Sequence, residues 1–264
     1  MNTLLFRWRH GGHRLILGFV LLLAALPFAA PAAAQSKSVT VESRNGDATI
    51  LPNGDVQMIE TWQTRFDGGP FRFAFRDIPL NRVEDITGWG VSENGQQYRQ
   101  ASGESPNTFT LDNTGSSKKI TWYFPATTNQ TRTFTLRYTL KGALRIYDAG
   151  DQFFWKFIES DRGYTINQSQ VTVHLPQGVT PSQMKVSTYR NTSEESGHAR
   201  IDEDGTAVFD GRSFSGGAEW EVRVPFPHGV VSAAKPSWQA ADDAAIAAEE
   251  ARKARQPFYS LIVL

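Results

Sequence analysis

The chain has 264 residues, with 27 lysines and arginines against 27 aspartates and glutamates, 40% hydrophobic residues and no cysteine. That charge balance excludes a strongly basic nucleic-acid binder, and the composition belongs to folded rather than disordered chains. The lack of cysteine excludes disulfides, thiolate zinc sites, iron–sulfur clusters and a thiol nucleophile.

Residues 1–34 have the form of a secretory signal peptide. Arg7, Arg9 and Arg14 supply a basic start, Leu15 to Ala25 an apolar run, and Pro27 precedes small residues ending in Ala32-Ala33-Ala34, with cleavage expected after Ala34. Loss of that segment removes three arginines and leaves 24 basic against 27 acidic residues, a net charge of −3. A mildly acidic exported domain is not built to lie on an anionic membrane surface.

From 37 to 232 the dominant period is two. Val56, Met58, Glu60 and Trp62 share one parity, as do Phe134, Leu136, Tyr138 and Leu140. Phe71, Phe73 and Phe75 alternate with Arg72, Ala74 and Arg76, which assigns the three rings to one strand face and that face to the core. Val171, Val173 and Leu175 repeat the pattern, as do Val222 and Val224. Turn residues punctuate the runs at Pro52-Asn53-Gly54-Asp55, Asn94-Gly95 and Asp202-Glu203-Asp204-Gly205. The expected fold is all-β: an antiparallel β-sandwich over 37–232, with an immunoglobulin-like arrangement as one version.

Residues 236–256 read as one alanine-rich linker helix, a juxtamembrane spacer with Pro236 and Ser237 at its start and Arg252, Lys253 and Arg255 at its end. Phe258 to Leu264 opens an apolar segment too short to cross a bilayer, and the expectation is a transmembrane helix cut short there. The membrane is thus an expected partner through the segment beginning near Phe258.

Chemical motifs are sparse. After the leader the histidines are His174, His198 and His228, with none spaced for a metal fork, so no metal site and no cofactor are expected. Ser182-Gln183-Met184-Lys185 fits the S-x-x-K string of serine acyl-enzymes without its companion motifs. More pointed are polar residues set among rings. Glu60 shares the parity of Met58 and Trp62, so its carboxylate points to the apolar side and needs a partner. Arg76 and Asp77 offer one, and Asp151 precedes the run Phe153-Phe154-Trp155. Glu60, Arg76, Asp77, Asp151 and Trp155 are therefore the candidate ligand-binding residues. Their structural alternative is that Arg76 bridges Glu60 or Asp151 and locks a sheet corner while Trp155 fills the core.

Asn53-Gly54-Asp55-Val56 running to Glu60, then Gly69-Pro70-Phe71-Arg72 leading into Phe75-Arg76-Asp77-Ile78-Pro79, resembles a family of prokaryotic predicted membrane proteins, domain of unknown function 2207. Gln152-Phe153-Phe154-Trp155 and the stretch from Trp220 to Val230 look like its central region and closing strand, so the similarity covers roughly 37–232. The resemblance implies an exported N-terminal domain followed by transmembrane helices, and supplies no activity or catalytic residue. The functional expectation is a membrane-tethered, extracytoplasmic module that binds an envelope glycan, peptide or protein. Two rivals stay open: a cell-envelope hydrolase using Glu60, Asp77 or Asp151, and a purely structural stalk whose edge strands pair with a partner.

Overall fold

A computed structural model describes residues 36–260, with side chains described as far as Arg252. The expected signal peptide over 1–34 and the apolar residues beyond Ser260 lie outside the described residues. In chain order the strands are β1 (Ser38–Ile50), β2 (Val56–Asp67), β3 (Phe71–Pro79), β4 (Asp85–Glu93), β5 (Gln96–Gln97) and β6 (Arg99–Gln100). There follow β7 (Thr108–Asn113), β8 (Ser117–Thr127), β9 (Gln130–Lys141), β10 (Leu144–Arg145), β11 (Asp151–Ile158) and β12 (Thr165–His174). The last are β13 (Ser187–Arg190), β14 (Ser193–Glu195), β15 (Ala199–Ile201), β16 (Ala207–Phe214), β17 (Trp220–Phe226) and the helix α1 (Gln239–Ser260).

The expected turns sit where their residues allow. Gly54 joins β1 to β2 at φ 83°, and Asn94 and Gly95 join β4 to β5 at φ 49° and 82°, the positive angles that tight hairpins require. The fold is all-β with a C-terminal helix. Three sheets form it: eight strands in the order β15-β16-β12-β1-β2-β9-β4-β5, five in the order β10-β11-β17-β13-β14, and four in the order β3-β8-β7-β6.

The large sheet is the floor. Its inward face carries Met58, Trp62, Phe134, Leu136 and Phe209, all buried, while Gln57, Gln63 and Arg65 lie exposed on the other face. This is the one-sided burial that alternation predicts. The four-stranded sheet packs on the β2–β9 part of that face, where Trp122 meets Trp62 and Phe134 at ring distances of 6.2 and 5.6 Å. The five-stranded sheet packs alongside it, with Phe157 against Gly46 and Trp220 against Phe214.

Three features differ from the sequence expectation. First, β1 pairs with β12 in parallel, as do β6 and β7, so the eight- and four-stranded sheets are mixed while the five-stranded sheet is antiparallel throughout. A parallel neighbour needs a long crossover, and the whole of both smaller sheets' early strands is interposed between β1 and β12. Second, β3 carries two of its three rings outward: Phe73 is 55% and Phe75 49% exposed, while Phe71 packs on Phe66 and Arg76 and Ile78 are buried. Third, the helix does not merely follow the β domain. Its beginning is docked onto it, with Trp238 Nε1 donating to the Gly142 carbonyl at 2.7 Å. The Gln239 side chain accepts from Ile146 N at 2.9 Å and donates to Ile146 O at 3.1 Å. Asp242 pairs with both Arg82, at 3.0 Å, and Arg145. From Ala244 to Ala248 the side chains are exposed, because alanines offer little apolar face to bury.

Candidate functional site

The inward parity of β2 delivers Glu60 to the middle of the floor sheet, where it has no solvent exposure. Two arginines meet it: Arg44 Nε at 3.0 Å and Arg76 Nε at 3.2 Å. Trp62 Nε1 donates to it at 2.8 Å, and the Tyr138 hydroxyl donates to its other oxygen. Beyond Glu60, both arginines reach Glu159, Arg44 Nη1 at 3.2 Å and Arg76 Nη2 at 2.5 Å. Arg44 is packed between the rings of Trp62 and Phe157, 4.5 and 4.7 Å from their centroids. Burial alone would raise the Glu60 carboxyl, but Arg44 and Arg76 together with the Tyr138 and Trp62 donors outweigh it and hold the pKa down to about 2. Burial and the neighbouring Glu60 charge push the Tyr138 phenol well above its ordinary value.

This network joins all three sheets. Arg44, Glu60 and Tyr138 come from β1, β2 and β9 of the floor, Arg76 from the four-stranded sheet, and Glu159 from the residue that follows β11 of the five-stranded sheet. Glu60, Arg44 and Arg76 are buried and Glu159 partly so. The ion pairs tie the sheets together although Arg44 Nη2 and Arg76 Nη2 make no hydrogen bond, which is the geometry of a staple.

Among the described residues, no side chain of the other sequence candidates hydrogen-bonds to the charged groups of this network. Asp77 is exposed on β3, and its carbonyl accepts from Arg76 Nη1 at 2.7 Å. Asp151 is buried at the start of β11 and accepts from the Tyr147 N–H at 3.3 Å, with His228 Nδ1 2.9 Å away. That contact raises the pKa of the half-exposed His228. Trp155 is buried and stacks on Phe153. It also forms one wall of a cleft of about 360 Å³ with Ile78, Pro79, Asn81, Arg82, Glu159 and Asp161. Most charges there are already engaged: Glu159 by Arg44 and Arg76, Arg82 by Glu221 at 2.7 Å and by Asp242. Glu60 and Arg76 thus meet, while Asp151 and Trp155 belong to another part of the core. No two of the candidate carboxylates share an open cleft, which the hydrolase reading requires. Among the described residues no group of three or more His, Asp or Glu side chains could hold a metal ion.

A second concavity was not foreseen. Between β3 and the ends of β1 and β2 runs a groove of about 480 Å³, lined by Val39, Val41, Trp62, Phe66, Phe71, Phe73, Phe75 and Tyr164 with Lys37, Arg72 and Glu104 among them. Lys37 Nζ lies 5.6 Å from the Phe71 ring centre, and Lys119 Nζ 4.4 Å from that of Phe75. Large exposed rings beside an apolar concavity are uncommon on a closed surface and mark contact sites. The signal was present in the sequence as the inward demand of Arg76, which forces its odd-numbered neighbours out.

The family described as "Predicted membrane protein (DUF2207) N-terminal domain" matches residues 40–226. No curated protein sequence matches the chain. Among solved structures it is similar to yeast LTA4 hydrolase, with a TM-score of 0.43 and 10% identity over 75% of this chain and 31% of that one. It is also similar to an M1 zinc metallopeptidase from Deinococcus radiodurans, with a TM-score of 0.38 and 13% identity over 73% of this chain and 43% of that one. The chain therefore spans less than half the length of either, and likenesses this distant say nothing about its chemistry. Among the described residues no helix is long and apolar enough to cross a membrane. By the family match, which runs from Thr40, the third residue of β1, to the end of β17, the chain belongs to the DUF2207 family of predicted membrane proteins.

Proposed function

We propose that this is a membrane-tethered, extracytoplasmic binding module and that the groove beside β3 is its contact site. The observation that carries the reading is the outward turn of Phe73 and Phe75 along an apolar groove, 55% and 49% exposed in a fold that buries nearly every other large ring. Burying a phenyl side chain is worth about 1.5–3 kcal/mol, so two half-exposed rings represent a sizeable unspent driving force. The leader-like N-terminus supports export, and the family supports a membrane. The docked helix supports transmission: Asp242, held by Arg82 and Arg145, and Tyr147, whose hydroxyl donates to Asp243 at 2.6 Å, fix the direction in which α1 leaves the β domain.

The test screens the full chain against arrays of envelope glycans and extended peptides, with a Phe73→Ser/Phe75→Ser chain alongside. The expected result is saturable binding to one class, weakened at least tenfold in the double variant. Equal binding by both chains would remove the groove as the site.

A further inference from the structure

We propose that the groove takes an extended segment of a partner protein, apolar at alternate positions and bearing an acidic group, which adds to the free edge of β3 as an extra strand. This rests on the binding-module reading and names the class of ligand.

Three observations converge on it. β3 ends its sheet: its main chain pairs with β8 alone, and among the described residues no group outside β8 bonds that main chain between Phe71 and Arg76. An unpaired edge of this length is a template for one more strand. Next, the rings repeat with the period of a strand. Phe73 and Phe75 stand two residues apart along that edge, and Phe71 lies across a register shift and packs on Phe66 at 5.0 Å. Val39, Val41, Trp62 and Tyr164 line the groove with them, so alternate side chains of an added strand would meet apolar walls. Finally, the charges of the lining are unbalanced. Lys37 and Arg72 have no ion-pair partner among the described residues, Lys119 stands over Phe75, and Glu104 is the one acid in the lining. A carboxylate on the ligand would complement that rim.

The position of the groove argues against a lipid surface as the occupant. Phe66 lies at one end of β2 and Val56 at the other, and Val56 pairs with Leu140 beside the Gly142 carbonyl that holds Trp238. Ten residues of strand separate the two ends by about 33 Å, so the groove lies at the opposite end of β2 from the helix that leads toward the membrane.

The experiment measures binding to the full chain in detergent micelles by fluorescence anisotropy. The probe is a labelled ten-residue peptide alternating valine and threonine with two aspartates at one end. Three companions are a lysine-ended version, a version N-methylated at alternate main-chain nitrogens, and phosphatidylglycerol vesicles. The acidic peptide should bind saturably, and lysine ends or N-methylation on the β3-facing side should each weaken it at least tenfold. Arg72→Glu should reverse the preference between aspartate and lysine ends, while circular dichroism confirms an unchanged fold. Equal affinity for the N-methylated peptide would overturn strand addition. So would vesicle binding without peptide binding, or self-association of the chain that Phe73→Ser abolishes. If those failures come with glycan binding that the Phe73→Ser/Phe75→Ser chain loses, the binding-module reading survives and only the peptide class falls. Peptide binding indifferent to both phenylalanines would sink the two together.

Discussion

Phe75 and Arg76 are adjacent on β3 and belong to opposite worlds. Arg76 reaches down to Glu60 and Glu159 in a seam where every sheet contributes a charged group. Phe75 faces out beside a groove whose cations, Lys37 and Arg72, have no ion-pair partner among the described residues. A strand has two faces, and a buried carboxylate opposite one of them decides which side chains turn inward. The desolvation of an unpaired Glu60 would cost more than leaving two phenyl rings half wet. The arrangement teaches that the fold commits its charges to the seam and leaves its apolar surface for contact.

If that division is right, changes at the seam should hurt stability and changes at the groove should not. The largest effect is expected from Glu60→Ala, which leaves Arg44 and Arg76 buried with only Glu159 to neutralise them. A loss of about 3–5 kcal/mol in urea unfolding is the expectation. The same carboxylate sets an acid limb. Its pKa is lowered in the folded chain to about 2, so its contribution is present above the ordinary carboxylate range and lost as pH falls from about 4.5 toward 2. Unfolding midpoints of the parent should decline across that interval more steeply than those of the variant.

Next comes Asp242→Asn. Arg145 is buried, and besides Asp242 its acceptor among the described residues is the Phe154 carbonyl at 3.3 Å. Loss of a hydrogen bond to a charged group is worth about 1.5–3 kcal/mol, and amide exchange should rise in the first turn of α1 while the β strands stay protected. Gly46→Ala then probes how tightly the seam is closed. Gly46 pairs with Glu60 across the strands, and an added Cβ would lie 2.5 Å from the Phe157 ring. A loss of about 1–3 kcal/mol in thermal or urea unfolding is expected, with no effect on groove binding.

Much of this was legible from the residues. The parity of Val56, Met58, Glu60 and Trp62 gave the inward carboxylate, and Arg76 was among its named partners. Arg44 was missed because a register shift between Val41 and Ser43 breaks the parity of β1. Counting back from Ile50 and Ala48 places it inward, whereas counting forward from Val39 does not. Glu159 follows the last residue of β11, where alternation has ended and no period can orient a side chain. The groove was hidden for another reason. Three alternating phenylalanines look like core by hydrophobicity alone, and only the competing requirement of Arg76, settled by residues far away in sequence, turns them out.

His228 gives a smaller test on the other flank of the five-stranded sheet. Its hydrogen bond and charge attraction to Asp151 raise its pKa, so the stabilisation is complete below the ordinary histidine value and fades as pH climbs through the raised one. His228→Gln should flatten that part of the stability profile.

The smallest stability effect belongs to the groove itself. Phe73 and Phe75 are about half exposed and their rings face outward, so Phe73→Ser and Phe75→Ser should each change unfolding free energy by no more than about 0.5 kcal/mol. A loss of several kcal/mol would mean that the rings hold the four-stranded sheet on the floor, and the contrast between a structural seam and a free contact face would collapse. Near-neutral stability together with lost ligand binding would instead separate the two regions cleanly, since a residue that folding can spare and binding cannot has its function at the surface.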